Sequence, residues 1–121
     1  MEESIAGLII EHDRKKLQNL AIEVDKILKE EISKTGLICD LNEARIYNIK
    51  TLGVQGDDRS YRHPAEITIK NPKHSDGRLY SEDEFYDFLA GLSTRITNEV
   101  RGVNRVLYVT ATRDDRTNLF P

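Results

Sequence analysis

The run Leu52-Gly53-Val54-Gln55-Gly56-Asp57-Asp58-Arg59-Ser60-Tyr61 concentrates the residue types most able to do chemistry. Two glycines, two aspartates and an arginine stand between apolar, β-prone segments. Gly56 reaches positive φ without steric cost, and Asp57 and Asp58 favour turns by bonding their own backbone. Arg59 leaves the turn with a planar fork that suits a phosphate or a carboxylate. The plainer alternative is a solvated turn with an idle Arg, since turns are usually only turns.

Other chemistry is weaker. Asp57, Asp58 and His63 are types that hold divalent metals or exchange protons. Adjacent aspartates diverge in a strand, however, and His63 precedes Pro64 and is expected to be extended. No further cluster completes such a site, so no metal centre is expected. His12 and His74 are isolated and read as surface imidazoles. Cys39 follows Leu37-Ile38 and has no evident His partner, so it reads as a buried thiol rather than a nucleophile. The sequence holds neither a Gly-x-x-x-x-Gly-Lys-Ser/Thr loop nor a dinucleotide fingerprint.

These residues need a scaffold. From Asp13 to Thr35, Leu17, Leu20, Val24, Ile27, Leu28 and Ile32 recur at spacings of three and four, one face of a helix. Gly36 is placed to end it in a left-handed cap. Asn42 to Val54 is strand-prone, with Ala44, Ile46, Leu52 and Val54 on one parity. A turn over Gly56 to Arg59 then returns the chain to a strand over Ala65 to Ile69, which Pro64 should begin or place at an edge. Asn71 to Tyr80 carries Pro72, Asp76 and Gly77 and reads as a loop. Ser81-Glu82-Asp83-Glu84 is a capping box. It opens a second helix whose apolar face is Phe85, Phe88, Leu89, Leu92, Ile96 and Val100, and Gly102 is expected to stop it. Val103 to Thr110 reads as a strand, and the tail beyond Ala111 is polar. Two amphipathic helices and an antiparallel sheet with one apolar face predict an α+β two-layer sandwich. Residues 1–12 would extend this single domain at one end and 111–121 would form its tail.

Composition narrows the function. The chain has 121 residues, enough for one core, and a net charge of −3, which argues against general nucleic-acid binding. A single Cys rules out an internal disulfide. No apolar run nears the ~20 residues that cross a bilayer. The N-terminus lacks the basic region of a signal peptide, so a cytoplasmic location is expected.

Three blocks carry a resemblance. Gly53 to Tyr61 is similar to the Gly-Val-x-Gly-Asp-x-Arg-x-Tyr segment of the C-terminal dimerisation domain of glutamine-hydrolysing GMP synthetase. Phe88 to Tyr108 resembles that domain's Asp-Phe-Leu-x-x-x-Ser-x-Arg-Ile-x-Asn-Glu-Val-x-Gly-x-x-Arg-Val-x-Tyr run. Glu30 to Leu37 resembles the helix that leads into it. The blocks occur in family order and span most of the chain from about Ile22. The resemblance implies a homodimer, a role in GMP biosynthesis and a share in the XMP site. Arg59 matches the family arginine that contacts the nucleotide phosphate, with Gln55, Gly56, Asp57, Asp58 and Tyr61 as its supporting loop. The family's Ser-Gly-Gly-x-Asp-Ser ATP loop and glutaminase cysteine have no match here. The resemblance therefore implies a component of the ligase that is not catalytic alone, holds no cofactor itself, and meets ATP and magnesium through separate ATP-pyrophosphatase and glutaminase polypeptides.

The tail departs from the family. Arg113 stands where the family has a Lys and Thr117 matches its Thr, so both join Arg59 as phosphate-binding candidates. Asp114-Asp115 replace two prolines, and Leu119, Phe120 and Pro121 replace Glu, Trp and Glu. The acidic groups that would meet the purine or ribose are gone. A pure oligomerisation scaffold that has lost its nucleotide is therefore the competing reading.

Overall fold

The computed structural model describes residues 2–5, 8–55 and 58–109, with side chains over 9–51 and 61–109. In chain order the elements are β1 (Glu2–Ile5), β2 (Leu8–Glu11), α1 (Arg14–Thr35), β3 (Leu41–Ile46), β4 (Ile49–Gln55), β5 (Asp58–Lys70), α2 (Glu82–Glu99) and β6 (Val103–Val109). The fold is α+β, as the residue pattern predicts, with two helices on a sheet.

Both helices begin where their caps dictate. Asp13 accepts the Lys16 N–H at 3.1 Å and starts α1. Gly36 closes it at φ 72°, a conformation glycine adopts without strain. The capping box at α2 is reciprocal: Ser81 Oγ accepts from Glu84 N, and Glu84 Oε1 accepts from Ser81 N, each at 3.1 Å. Glu82, Asp83 and Glu84 also place negative charge at the positive end of the helix dipole. Gly102 does not stop α2. The helix ends at Glu99 and Val100 caps it by donating to Ile96 O at 2.9 Å. Gly102 serves a close approach instead: a Cβ there would fall 2.5 Å from Leu20 Cδ2 of α1.

β5 organises the sheet. β3 pairs antiparallel with its second half (Leu41↔Lys70 to Ile46↔Ala65), and β4 with its first half (Thr51↔Arg62 to Gln55↔Asp58). Asn42 to Val54 is therefore two strands rather than one. The pairing slips by two residues between them, so the inside–outside alternation survives. β5 is a single 13-residue strand that runs through Pro64 instead of starting there. The proline is tolerated because its partner changes at that point and the ladder to β6 is irregular between His63 and Pro64. β6 joins β5 in parallel, from His63↔Val103 to Thr68↔Val109, through the α2 crossover. The other pairings are antiparallel. β1 pairs antiparallel with β2 (Glu2↔Glu11 to Ile5↔Leu8), and β2 pairs with β4 (Ile9↔Lys50, Ile10↔Ile49).

The core lies between the helices and one face of the sheet. Val24, Ile27 and Leu28 from α1 and Leu92 and Ile96 from α2 pack with Ala65, Ile67 and Ile69 of β5 and Val103 of β6. The β5 residues alternate, as a half-buried strand requires. Tyr108 ties β6 to α2: its hydroxyl donates to Leu89 O at 2.8 Å and lies 2.7 Å from Ser93 Oγ. Burial pushes that phenol's pKa up. Among the described residues, no helix is long and apolar enough to cross a membrane.

Candidate functional site

The Gly53–Tyr61 block sits at the end of the β4–β5 arm. Paired residues close to Gln55↔Asp58, so only Gly56 and Asp57 remain between the strands. The turn expected over Gly56 to Arg59 is therefore shorter, since Asp58 and Arg59 already pair within β5. Arg59 is backbone-paired with Val54 and therefore belongs to a regular ladder, one step inside the tip. Gln55 and Asp58 are the last ladder pair. Tyr61 pairs with Leu52 and is 44% exposed. Gly56, Asp57, Arg113 and Thr117 lie outside the described residues. The structure thus brings Gln55, Asp58, Arg59 and Tyr61 onto one arm.

His63, two residues along from Tyr61, is 1% exposed. Its Nδ1 lies 2.8 Å from both Tyr47 O and Ile49 O. Both partners are acceptors, so Nδ1 carries the proton and donates to the pair. Burial pushes the imidazole pKa down. This is a structural imidazole rather than the metal ligand or acid–base group considered from sequence. His74 is likewise not an isolated surface group. Its ring stacks on Tyr80 with centroids 4.1 Å apart, and its Nε2 lies 3.0 Å from Glu84 Oε2. Cys39 is half-buried and accepts a long contact from Asn42 Nδ2 at 3.5 Å.

Two polar clusters are assembled mainly by elements distant in sequence. Glu11 in β2 is 4% exposed. Its Oε1 lies 2.9 Å from Lys16 Nζ and 3.6 Å from Lys50 Nζ, and the Asp13 N–H donates to Oε2 at 3.3 Å. The Lys16 hydrogen bond outweighs burial and holds the carboxyl at a pKa of about 2. The pairing of β2 with β4 is what brings Lys50 there, and no spacing in the chain announces it. The second cluster joins the helices. Arg95 of α2 meets Glu30 at 2.5 Å, Glu31 at 3.1 Å and Glu99 at 2.7 Å. Glu99 most of all, then Glu30, raise the guanidinium's already high pKa. Beside it an open cleft of ≈ 230 Å³ is lined by Glu23, Lys26, Ile27, Glu30 and Val100. Of its carboxylates Glu30 is taken up by Arg95, and the cleft has no feature that calls for a ligand.

The face of the sheet away from the helices is mixed. Arg45, Glu66 and Leu107 stand side by side across β3, β5 and β6. Tyr47 Oη donates to Glu66 Oε1 at 2.9 Å, and that bond to an anion raises the phenol's pKa. Leu107 is 46% exposed in the middle of β6. Among the described residues β6 pairs with β5 alone, so its outer backbone edge is unpaired by another strand.

Comparison with known proteins points to one family. The family described as GMP synthase C terminal domain matches residues 30–117. A GMP synthase [glutamine-hydrolyzing] of Synechocystis sp. is 39% identical over 93 residues, covering 74% of this chain and 17% of that protein. The protein of the same name from Bifidobacterium longum is 38% identical over 103 residues, 82% of this chain and 19% of the relative. That of Borrelia garinii is 37% identical over 92 residues, 74% and 17%. The chain therefore spans under a fifth of the length of each of these relatives. The match covers both helices from the end of α1 onward and the whole β3–β4–β5–β6 region, and it places this chain in the GMP synthase C-terminal domain family.

Proposed function

We propose that the chain is a pairing module of the GMP synthase type, which forms a homodimer and offers an anion site for the XMP phosphate at Arg59. In this reading it serves GMP biosynthesis beside separate ATP-pyrophosphatase and glutaminase chains. ATP and magnesium stay with the first of these. The observation that carries the reading is the register of the β4–β5 arm, which puts Arg59 in a regular ladder next to a two-residue Gly-Asp connection. Arginine at that ladder position carries a planar guanidinium, a fork able to match a phosphate in two places. Arg113 and Thr117 would add a cation and a hydroxyl from the tail. Support for pairing comes from the exposed Leu107 on the open face of the edge strand β6 and from the unpaired backbone edge of that strand.

Titration calorimetry with XMP, GMP and inorganic phosphate tests the ligand. We expect XMP to bind and Arg59→Ala to weaken it by about tenfold or more, the effect of removing a charge-assisted hydrogen bond. The altered tail, Asp114-Asp115 through Pro121, favours a second reading: a scaffold that pairs but binds no nucleotide. Silence toward all three ligands, with a dimer retained on sedimentation, decides for it. A monomer at every concentration removes both.

A further inference from the structure

We infer that His63 is a positioning residue that fixes the angle of the β4–β5 arm, and with it the Arg59 tip, by clamping the break between β3 and β4. The inference rests on the phosphate reading for its functional consequence but not for its structural content.

Two irregularities of the described sheet coincide at this residue. β3 pairs with β5 in one register and β4 in another, and the two-residue slip falls across Tyr47 to Lys50, opposite His63-Pro64. On β6 the ladder passes from Val103, opposite His63, to Arg105, opposite Pro64, leaving Asn104 as an extra residue. Such a break frees backbone groups that need partners. The Tyr47 N–H donates to Pro64 O at 3.1 Å, and Asn48 O accepts from Glu11 N at 2.7 Å. The carbonyls of Tyr47 and Ile49, on either side of the break, both converge on His63 Nδ1. Asn104 Nδ2 adds a tie to Thr51 O at 2.7 Å, one step further along the arm. One buried N–H thus holds the residue that follows β3 and the first residue of β4.

The clamp works only with a neutral ring. With Nδ1–H donating, Nε2 is a bare nitrogen, and among the described residues it has no hydrogen-bond partner. A proton there would place an N–H without an acceptor, and a charge, in a buried site. Lys50 of β4 and Lys16 of α1 both oppose that charge, and Glu11 of β2 is engaged with both lysines. From β6 the neighbour is apolar Val103. Acidification therefore works against the clamp.

The test reads the order of the arm without any ligand. Amide exchange over residues 50–54 and 58–62, corrected for intrinsic rates, is followed from pH 7 to 5 in the wild type, His63→Asn, His63→Gln and His63→Phe. Asn sets a donor near the Nδ1 position, Gln sets one near Nε2, and Phe keeps the ring without a donor. We expect wild-type protection to fall as pH drops below the ordinary imidazole range. His63→Asn should stay protected and lose the pH dependence. His63→Phe and His63→Gln should exchange about five- to tenfold faster at pH 7, the equivalent of one lost hydrogen bond. Wild-type protection in His63→Phe, or equal behaviour of Asn and Gln, overturns the inference. If His63→Phe does not fold, the Asn and Gln comparison still decides. Phosphate titration of the same variants and of Arg59→Ala separates the two proposals. Loss of binding in Arg59→Ala with no effect of any His63 variant sinks the clamp alone. Looser arms in the His63 variants with no effect of Arg59→Ala sink the phosphate site alone.

Discussion

Glu11 and Arg95 both look like the centre of an ion network, yet burial separates what they do for stability. Arg95 touches three carboxylates, but its cluster lies on the helix surface, where water screens the charges and ordering long side chains offsets the gain. Glu11 is 4% exposed and sits where β2 meets α1 and β4. Its carboxyl titrates near 2 in the folded chain against an ordinary value of 4.5. The folded state thus binds its proton less readily than the unfolded one, so the stabilisation is complete above about pH 4.5 and is lost as pH falls toward 2. Lys16 is half-exposed, which reduces the effect to about 1–2 kcal/mol. We expect Glu11→Gln to cost that much at pH 7 in urea unfolding and to flatten stability between pH 4.5 and 3. An unchanged acid limb in the variant would assign the loss to other carboxylates. His63 acts in a different window: burial lowers its pKa from 6.5, so its share of stability fades as pH falls below 6.5.

At the scale of elements, Gly102 shows how a correct boundary can have a different cause. The residue follows α2 where a helix-stopping glycine is expected, but among the described residues positive-φ glycines are Gly36 and Gly77. What Gly102 supplies is room for Leu20, and its carbonyl also accepts the His63 N–H at 2.8 Å. Gly102→Ala should destabilise by about 1–3 kcal/mol through overpacking. Adding Leu20→Ala should recover part of that loss, a coupling that a double-mutant cycle in urea measures. Strictly additive costs would refute steric conflict as the mechanism. The caps and the hairpin were legible because each is a local chemical signature. Ser81 with Glu84 and Gly36 after Thr35 are sufficient in themselves; the return of the chain after Gly56 was visible too, although Asp58 and Arg59, expected in the turn, are already in β5. The parallel entry of β6 was not legible, since alternation in Val103 to Val109 is the same in either direction. The break at Tyr47-Asn48 was hidden for another reason: a two-residue slip leaves the parity of Ala44, Ile46 and Leu52 intact. Pro64 was read as the start of its strand or as an edge position, whereas the strand runs through it. For the candidate site, the arm carrying Arg59 was visible and its clamp was not, because His63 acts on carbonyls, which have no letter in the sequence.

For the whole molecule, the helices cover one face of the sheet and leave the other with a row of Arg45, Glu66 and Leu107. An exposed leucine in the middle of a strand is unremarkable alone, but here it lies beside Glu66, whose carboxylate accepts from the Tyr47 hydroxyl. In the proposed homodimer this face would be isologous, each copy giving the same row. A charge introduced at Leu107 then enters the interface twice, with no compensating partner, whereas in a monomer it only meets solvent. Leu107→Glu should therefore shift the protein from dimer to monomer on sedimentation velocity across a concentration series. It should leave the circular dichroism spectrum unchanged, because the side chain takes no part in the core packed by Ile67 and Ile96. Leu107→Ala, which removes area without adding charge, should weaken pairing less. The edge of β6 gives the competing geometry, in which strands of two copies join backbone to backbone and the side chain at position 107 matters little. A dimer that withstands Leu107→Glu but yields to a proline placed in β6 would move the seam from the face of the sheet to its rim.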